Sequence, residues 1–93
     1  MKILHLTLKK KWFDMIASGE KKEEYREIKV YWAKRLLKNY DAILFRNGYG
    51  EKVPSVLVEY KGLTQGVGDK SWGAPIEKAY ILKFGKIIKN DNN

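Results

Sequence analysis

The opening residues alternate between hydrophobic and polar side chains, which predicts a first β-strand. In residues 3–8, ILHLTL, leucine occupies every second position, as in a strand with one face against the core. Over residues 9–18 the period becomes that of an amphipathic helix. The apolar stripe of this helix consists of Trp12, Phe13, Ile16 and Ala17. Gly19 is placed to end this short first helix.

The middle of the chain predicts a strand, a second helix and a hairpin. The strand is KKEEYREI, residues 21–28, and the helix is KVYWAKRLLKN, residues 29–39. The predicted apolar face of this helix comprises Val30, Ala33 and Leu37, beside Trp32 and Leu36. DAILFR, residues 41–46, and KVPSVLVEYKGL, residues 52–63, then read as antiparallel strands around an Asn47-Gly48 turn, a pair that suits positive backbone angles.

The last third of the chain predicts a loop and a closing strand. A glycine-rich loop is expected from Thr64 to Pro75. In AYILKFGKII, residues 79–88, the alternation places Tyr80, Leu82 and Phe84 on one face. This order of elements predicts one α+β domain, residues 1–89, with a mostly antiparallel, barrel-like sheet flanked by two short helices. Residues 90–93 are expected to form a polar C-terminal tail.

The predicted strand at residues 21–28 is unusual because neither of its faces is apolar. Alternation places Glu24 and Arg26 on one face and Tyr25 on the other. One interpretation is that Glu24 and Arg26 point into a polar cleft and pair there, which would offset the cost of removing charge from water. The other is an exposed edge strand whose charges deter aggregation. The pattern alone does not choose between them.

The amino-acid composition indicates which binding partners and which cofactors the protein can have. The 19 Lys and Arg against 11 Asp and Glu give a net charge of +8, which favours polyanions such as nucleic acid. An acidic protein bound through the lysines is an alternative partner. With no cysteine and one histidine, no metal or other cofactor is predicted. No apolar run has the length of a signal or membrane segment, so we expect a cytoplasmic protein with no membrane contact.

The charged segment carries Gly19, Lys21, Glu24 and Arg26 in the spacing GxKxxExR. In this motif the chain resembles the ASCH domain family of the PUA-like superfamily. The order of strand, basic turn, helix and motif in residues 6–27 is also similar, and AYILKFGKII resembles the closing strand of the family. The resemblance implies a five- or six-stranded, barrel-like fold and a motif-lined cleft that binds RNA or a nucleotide. It therefore favours the cleft interpretation of the charged strand.

The resemblance also implies site residues. Lys21, Glu24 and Arg26 are expected to line the cleft, and Lys9 matches a lysine often found after the first strand of the family. Arginine and lysine suit phosphate or base-edge acceptors, and Glu24 suits an amino group of a base.

Ring and turn residues complete the predicted binding site. Trp72 and Tyr49 are candidates for stacking on an unpaired base. Trp12 and Trp32 are predicted to lie in the core, because they belong to helical stripes. Asn47 is predicted at the rim of the cleft.

A small hydrolase is the alternative function, with Lys21 and Glu24 as its catalytic residues. Some members of the family are amidohydrolases of acetylcytidine, in which a lysine at the position of Lys21 works with a threonine nucleophile. Glu24 stands where that threonine would be, and carboxylate is a poor substitute for a hydroxyl in acyl transfer. Two enzymatic hypotheses remain. In one, Glu24 activates a water molecule as general base; in the other, the protein is a metal-free ribonuclease that uses Arg26 together with Lys21 and Glu24.

Overall fold

The computed structural model describes residues 1–91 and contains five strands, two α-helices and a short 3₁₀ turn. In chain order these are β1 (Ile3–Thr7), α1 (Lys10–Ala17), β2 (Glu23–Arg26), α2 (Val30–Leu36), β3 (Ala42–Arg46), β4 (Ser55–Gly66), the 3₁₀ turn (Lys70–Trp72) and β5 (Ala79–Asp91). Every predicted helix and strand is therefore present in these residues, and the α+β class is confirmed.

The strands form one curled, mixed sheet that resembles half of a barrel. Their order is β1-β3-β4-β5-β2, so β1 and β2 are the two edge strands. Three of the four pairings are antiparallel, and β1 pairs with β3 in parallel. The connection allows the parallel pair, since the chain passes through α1, β2 and α2 before β3 begins.

One main hydrophobic core lies between the sheet and the helices. The alternating leucines of β1 point into it, α1 contributes Phe13 and Ile16, and α2 contributes Leu36. The predicted inward face of β5 is confirmed, since its three residues are buried. Among the described residues the core comprises Leu4, Leu6, Leu8, Phe13, Ile16, Leu36, Ile43, Phe45, Val56, Val58, Tyr80, Leu82 and Phe84.

The predicted apolar face of α2 was partly wrong. Val30 and Leu37 are 71% and 67% exposed, because Val30 is the first helical residue and Leu37 already lies beyond the last turn. Instead, Trp32, Ala33 and Leu36 pack against the core. This stripe at positions i, i+1 and i+4 is the one that faces the sheet.

Three predicted boundaries also changed. The β3–β4 connection spans residues 47–54, and its positive φ angles belong to Gly48 and Gly50 rather than to Asn47. The predicted loop from Thr64 to Pro75 starts later, because β4 continues to Gly66 opposite β5. The predicted tail, residues 90–93, is in part strand, since β5 continues to Asp91. Residues 92–93 lie outside the described part of the chain.

Candidate functional site

A cavity lies in the seam between the two edge strands. It has a volume of about 330 Å³ and is walled by the end of β1, the inward face of β2, the start of α1 and the 3₁₀ turn. The seam is bridged by Arg26, whose Nη2 donates a hydrogen bond to the Thr7 carbonyl at 3.4 Å. We call this the first cavity. It occupies the place where the half-barrel does not close.

Strand pairing explains why charged side chains face inward here. Glu24 is opposite Leu82 and Arg26 is opposite Tyr80 in the β2–β5 register, and both partners belong to the core. Glu24 is only 7% exposed. Its Oε2 accepts a hydrogen bond from Arg26 Nη2 at 2.7 Å. The predicted inward Glu24–Arg26 pair is therefore present, and the edge strand is not simply a solvated one.

Lys21 completes a network of three charges, the Lys21–Glu24–Arg26 network, in which Lys21 and Glu24 are buried and Arg26 is partly exposed. Its side chain is fully buried, and its Nζ lies 3.2 Å from Glu24 Oε1. The same ammonium donates to the Trp72 carbonyl at 2.5 Å and lies 4.8 Å from the centre of the Tyr25 ring. Burial lowers the pKa of Lys21 and the Glu24 carboxylate opposes that shift. Glu24 thus holds both cations, one through each oxygen.

The end of α1 places Lys21 beneath the cavity. Gly19, with a φ of +87°, ends the helix as predicted, and its amide donates to the Ile16 carbonyl at 3.0 Å. The amide of Lys21 then donates to the Met15 carbonyl at 2.9 Å. This tight turn directs the lysine side chain under β2 rather than to the surface.

The loop that carries Trp72 is fixed to β2 by polar contacts and close packing. The Tyr25 hydroxyl accepts a bond from the Asp69 amide at 3.1 Å and donates to Glu23 Oε1 at 2.9 Å. Burial raises the pKa of the Tyr25 phenol above its ordinary value. Gly73, with a φ of +92°, brings the loop backbone against the Trp12 ring. Trp12 and Trp72 both line the first cavity, and Trp72 also packs against the smaller hydrophobic cluster of Tyr25, Ala79 and Ile81.

A second cavity adjoins the first along the seam. Its volume is about 290 Å³, and Thr7 and Arg26 line both cavities. The Arg26 guanidinium carbon lies 4.9 Å from the centre of the Trp32 ring, and that of Arg35 lies 5.3 Å from it. Arg35 is held by a 2.9 Å bond to the His5 carbonyl. We call the two cavities together the groove.

The predicted site residues are divided between these places. Glu24, Arg26 and Lys9 line the first cavity, whereas Lys21 lies beneath it. Asn47 lies outside both linings, because its Nδ2 donates to the Leu8 carbonyl at 3.1 Å and so fixes the end of β1. Tyr49 lines the second cavity and is 88% exposed.

The prediction that Trp12 and Trp32 lie in the core was only partly correct. Both pack against the core with one part of the ring and line the groove with another. All three tryptophans of the chain therefore lie along the groove. Sequence reasoning also missed Arg35. The signal available for it was its position three residues after Trp32 on a predicted helix, which places the two side chains on neighbouring parts of one face.

Residues 1–91 also contain a larger cavity outside the groove, of about 530 Å³. It lies between the end of α2 and the middle of β4, around Tyr40 and Tyr60, and no buried charged side chain lines it. Within the described chain, no group of three or more His, Asp or Glu side chains is placed to hold a metal ion. No helix there is long and apolar enough to cross a membrane.

Comparison with known proteins gives no relative. No protein-family model, no curated protein and no solved structure matches the chain. The fold and the site define the molecule only as a small α+β half-barrel domain with a basic, aromatic groove at its open seam. The functional argument therefore rests on the geometry of that groove.

Proposed function

We propose that the protein binds single-stranded RNA or a free nucleotide, with a base in the first cavity. The observation that carries the proposal is the Lys21–Glu24–Arg26 network, because its Glu24 and Arg26 line one cavity together with Trp12 and Trp72. Buried charges are costly unless they are paired, and their retention at a cavity is typical of functional sites. The ligand is therefore expected to carry both a flat apolar surface and polar edges.

The aromatic walls favour a base as the apolar part of the ligand. Trp12 and Trp72 both line a cavity of about 330 Å³, and each base that stacks on an aromatic ring contributes about 1–3 kcal/mol. The contact of Gly73 with Trp12 and the bond from Lys21 to the Trp72 carbonyl hold these residues in place. A preorganised wall loses less side-chain entropy on binding than a mobile one.

The charges favour the polar parts of a nucleotide. Lys9 is exposed at the mouth of the cavity and Arg26 lies at its end toward the second cavity, where each can reach a phosphate. The Glu24 carboxylate is oriented by two cations and has further lone pairs that can accept from a base amino group. Under this proposal Lys21 positions Glu24 and Trp72 rather than contacting the ligand.

This site is the one that the ASCH, PUA-like resemblance implies, and we include that family assignment in the proposal. The motif spacing supports it, because Gly19 ends α1, Lys21 turns inward, and Glu24 and Arg26 share one face of β2. A basic, cysteine-free chain also suits a protein of the reducing cytoplasm. The five-stranded half-barrel is compatible with a PUA-like fold.

Hydrolysis is a second candidate because burial lowers the pKa of Lys21 beside a carboxylate, a combination found in catalytic sites. Two contacts oppose it. The Lys21 ammonium is fully buried and already donates to Glu24 and to the Trp72 carbonyl, so it is not directed at a substrate. Binding is therefore the better supported function.

Arg26→Ala is expected to weaken the binding of a fluorescently labelled single-stranded RNA hexamer about tenfold or more. The reason is that a hydrogen bond to a charged group contributes about 1.5–3 kcal/mol, and tenfold corresponds to about 1.4 kcal/mol. Fluorescence anisotropy at one fixed salt concentration measures the affinity, because binding to phosphates depends strongly on salt. Glu24 retains Lys21 as its partner in this variant.

Lys89→Ala is the matched control for the loss of one positive charge. Lys89 is exposed near the end of β5 and lines neither part of the groove. Equal losses of affinity in the two variants would mean that RNA binds only through general surface charge, which would contradict binding in the groove.

Mass spectrometry of the same samples, with acetylcytidine added, tests the alternative function, hydrolysis. A product that disappears in Lys21→Ala would establish hydrolysis.

A further inference from the structure

We infer that the second cavity is a second base subsite, so that the groove takes two consecutive nucleotides of a single strand with their shared phosphate at Arg26. This inference rests on the proposed function and deepens it. It assigns a binding role to the side chains that α2 and the β3–β4 connection place around the second cavity. The residues that carry it are Arg26, Tyr31, Trp32, Arg35 and Tyr49.

Adjacency of the two cavities is the first argument. Thr7 and Arg26 belong to both linings, so the two cavities adjoin where the Arg26 guanidinium contacts the Thr7 carbonyl. The Arg26 guanidinium stands at this junction, with Glu24 on one side and the Trp32 ring on the other. The junction is therefore the place where the phosphate between two bases would lie.

The donors of Arg26 and Arg35 are the second argument. The two bonds that Arg26 makes to Glu24 and Thr7 both use Nη2, and its buried Nε has no hydrogen-bond partner within residues 1–91. Arg35 is oriented by the His5 carbonyl and lies against the same Trp32 ring. Two guanidinium groups fixed around one ring provide the directional donors that a phosphodiester requires.

The aromatic lining of the second cavity is the third argument. The Tyr31 and Trp32 rings pack edge to face, with ring centres 4.9 Å apart. Tyr49 lines the same cavity and is largely exposed to solvent. Rings interleaved with cations are the pattern by which proteins hold unpaired bases. A duplex does not offer its base faces in this way, so the occupant is a single strand.

Charge separates a nucleic acid from an acidic peptide. Among the residues that line the groove, Glu24 is the one acidic side chain, and it is already paired with two cations. Because that one carboxylate faces two cations, the network keeps one excess positive charge, which Lys9 and Arg35 join in attracting an anion. Six aromatic side chains line the same surface, namely Trp12, Tyr25, Tyr31, Trp32, Tyr49 and Trp72. A peptide of carboxylates would leave these ring faces unused.

The test compares two probes that each contain one phosphate, adenosine 5′-monophosphate and the dinucleotide ApA. Isothermal titration calorimetry is expected to give an ApA affinity at least about tenfold higher, because only ApA brings a second base. The double variant Tyr31→Ala/Tyr49→Ala is expected to abolish this difference and to leave the affinity for the monophosphate unchanged. Both side chains are more than half exposed, so their removal spares the core.

A control variant and three distinct outcomes allow the second subsite to fail without the proposed function failing. Ile76→Ala removes an equally exposed hydrophobic side chain outside the groove and is expected to retain the full preference for ApA. Equal affinities for the two probes in the unmodified protein would overturn the second subsite while binding of the monophosphate upheld the first. Loss of the preference in Ile76→Ala would also overturn it. Failure of both probes to bind would instead overturn the proposed function.

Discussion

Glu24→Gln is expected to lower the free energy of unfolding by about 3–5 kcal/mol, because removing one partner of a buried ion pair leaves the other charge uncompensated. Glutamine keeps the shape of the side chain and removes its charge. The Lys21 ammonium, fully buried 3.2 Å from Glu24, then has no counterion. A domain of this size is stable by about 5–15 kcal/mol, so the variant is expected to remain measurable by urea unfolding.

A double-mutant cycle shows whether the cost comes from Lys21. In the Lys21→Met background no buried ammonium is left unpaired, so Glu24→Gln is expected to cost less than half of what it costs in the unmodified protein. Arg26 still contacts the side chain at position 24 in both backgrounds, which keeps that contribution common to them. Equal costs in the two backgrounds would mean that Lys21 and Glu24 are not energetically coupled.

Glu59→Gln is the matched surface control. Glu59 Oε1 lies 3.1 Å from Lys61 Nζ, nearly the distance of the buried pair, but both side chains are open to solvent. Exposed pairs contribute little because water and salt screen them, so the free energy of unfolding is expected to change little. A Glu24→Gln variant as stable as Glu59→Gln would contradict the buried network.

Gly68→Ala is expected to destabilise the fold by about 1–3 kcal/mol, the usual cost of extra volume in a packed site. A Cβ at this position would lie 2.7 and 2.8 Å from Tyr25 Cζ and Cδ1, and closer still to Cε1. The ring cannot move aside without losing the bonds of its hydroxyl to Asp69 and Glu23. The loop with Trp72 would be displaced instead, so RNA affinity is expected to fall together with stability.

Gly85→Ala provides the control for this clash. Its Cβ would meet Glu59 Oε1 and, at 2.7 Å, Lys61 Cε, which are the ends of flexible side chains at the surface. These can rotate away, and alanine is better than glycine within a strand, so we expect little change in stability or affinity. A loss in Gly85→Ala that matches the loss in Gly68→Ala would contradict the assignment of Tyr25 as a rigid contact.

Local patterns predicted the elements and the charged pair because both depend on residues close in sequence. The period of two in residues 3–8 became β1, and the spacing of Glu24 and Arg26 placed both on one face of β2. The pattern did not show whether that face points into the fold or toward solvent. It is decided by the register against β5, which sets Glu24 opposite the buried Leu82.

The remaining parts of the site depend on contacts between distant segments. Lys21 meets the Trp72 carbonyl across 51 positions of sequence, so no local signal indicated that the lysine would be buried. Trp12 and Trp32 fitted helical stripes, and their sides that face the groove appear only once β1 and β2 stand at the two edges of the sheet. The parallel β1–β3 pair, which makes β1 an edge, is likewise a tertiary choice.

The most direct test of the proposed base site is the ¹H–¹⁵N spectrum of the tryptophan side chains during titration with single-stranded RNA. The chain has three tryptophans, so three indole signals are expected, and single Trp→Phe variants assign them. Binding in the first cavity predicts that the signals of Trp12 and Trp72, which line it, shift as RNA is added. Saturation with RNA that leaves both signals unmoved, while backbone amides of surface lysines shift, would contradict the account.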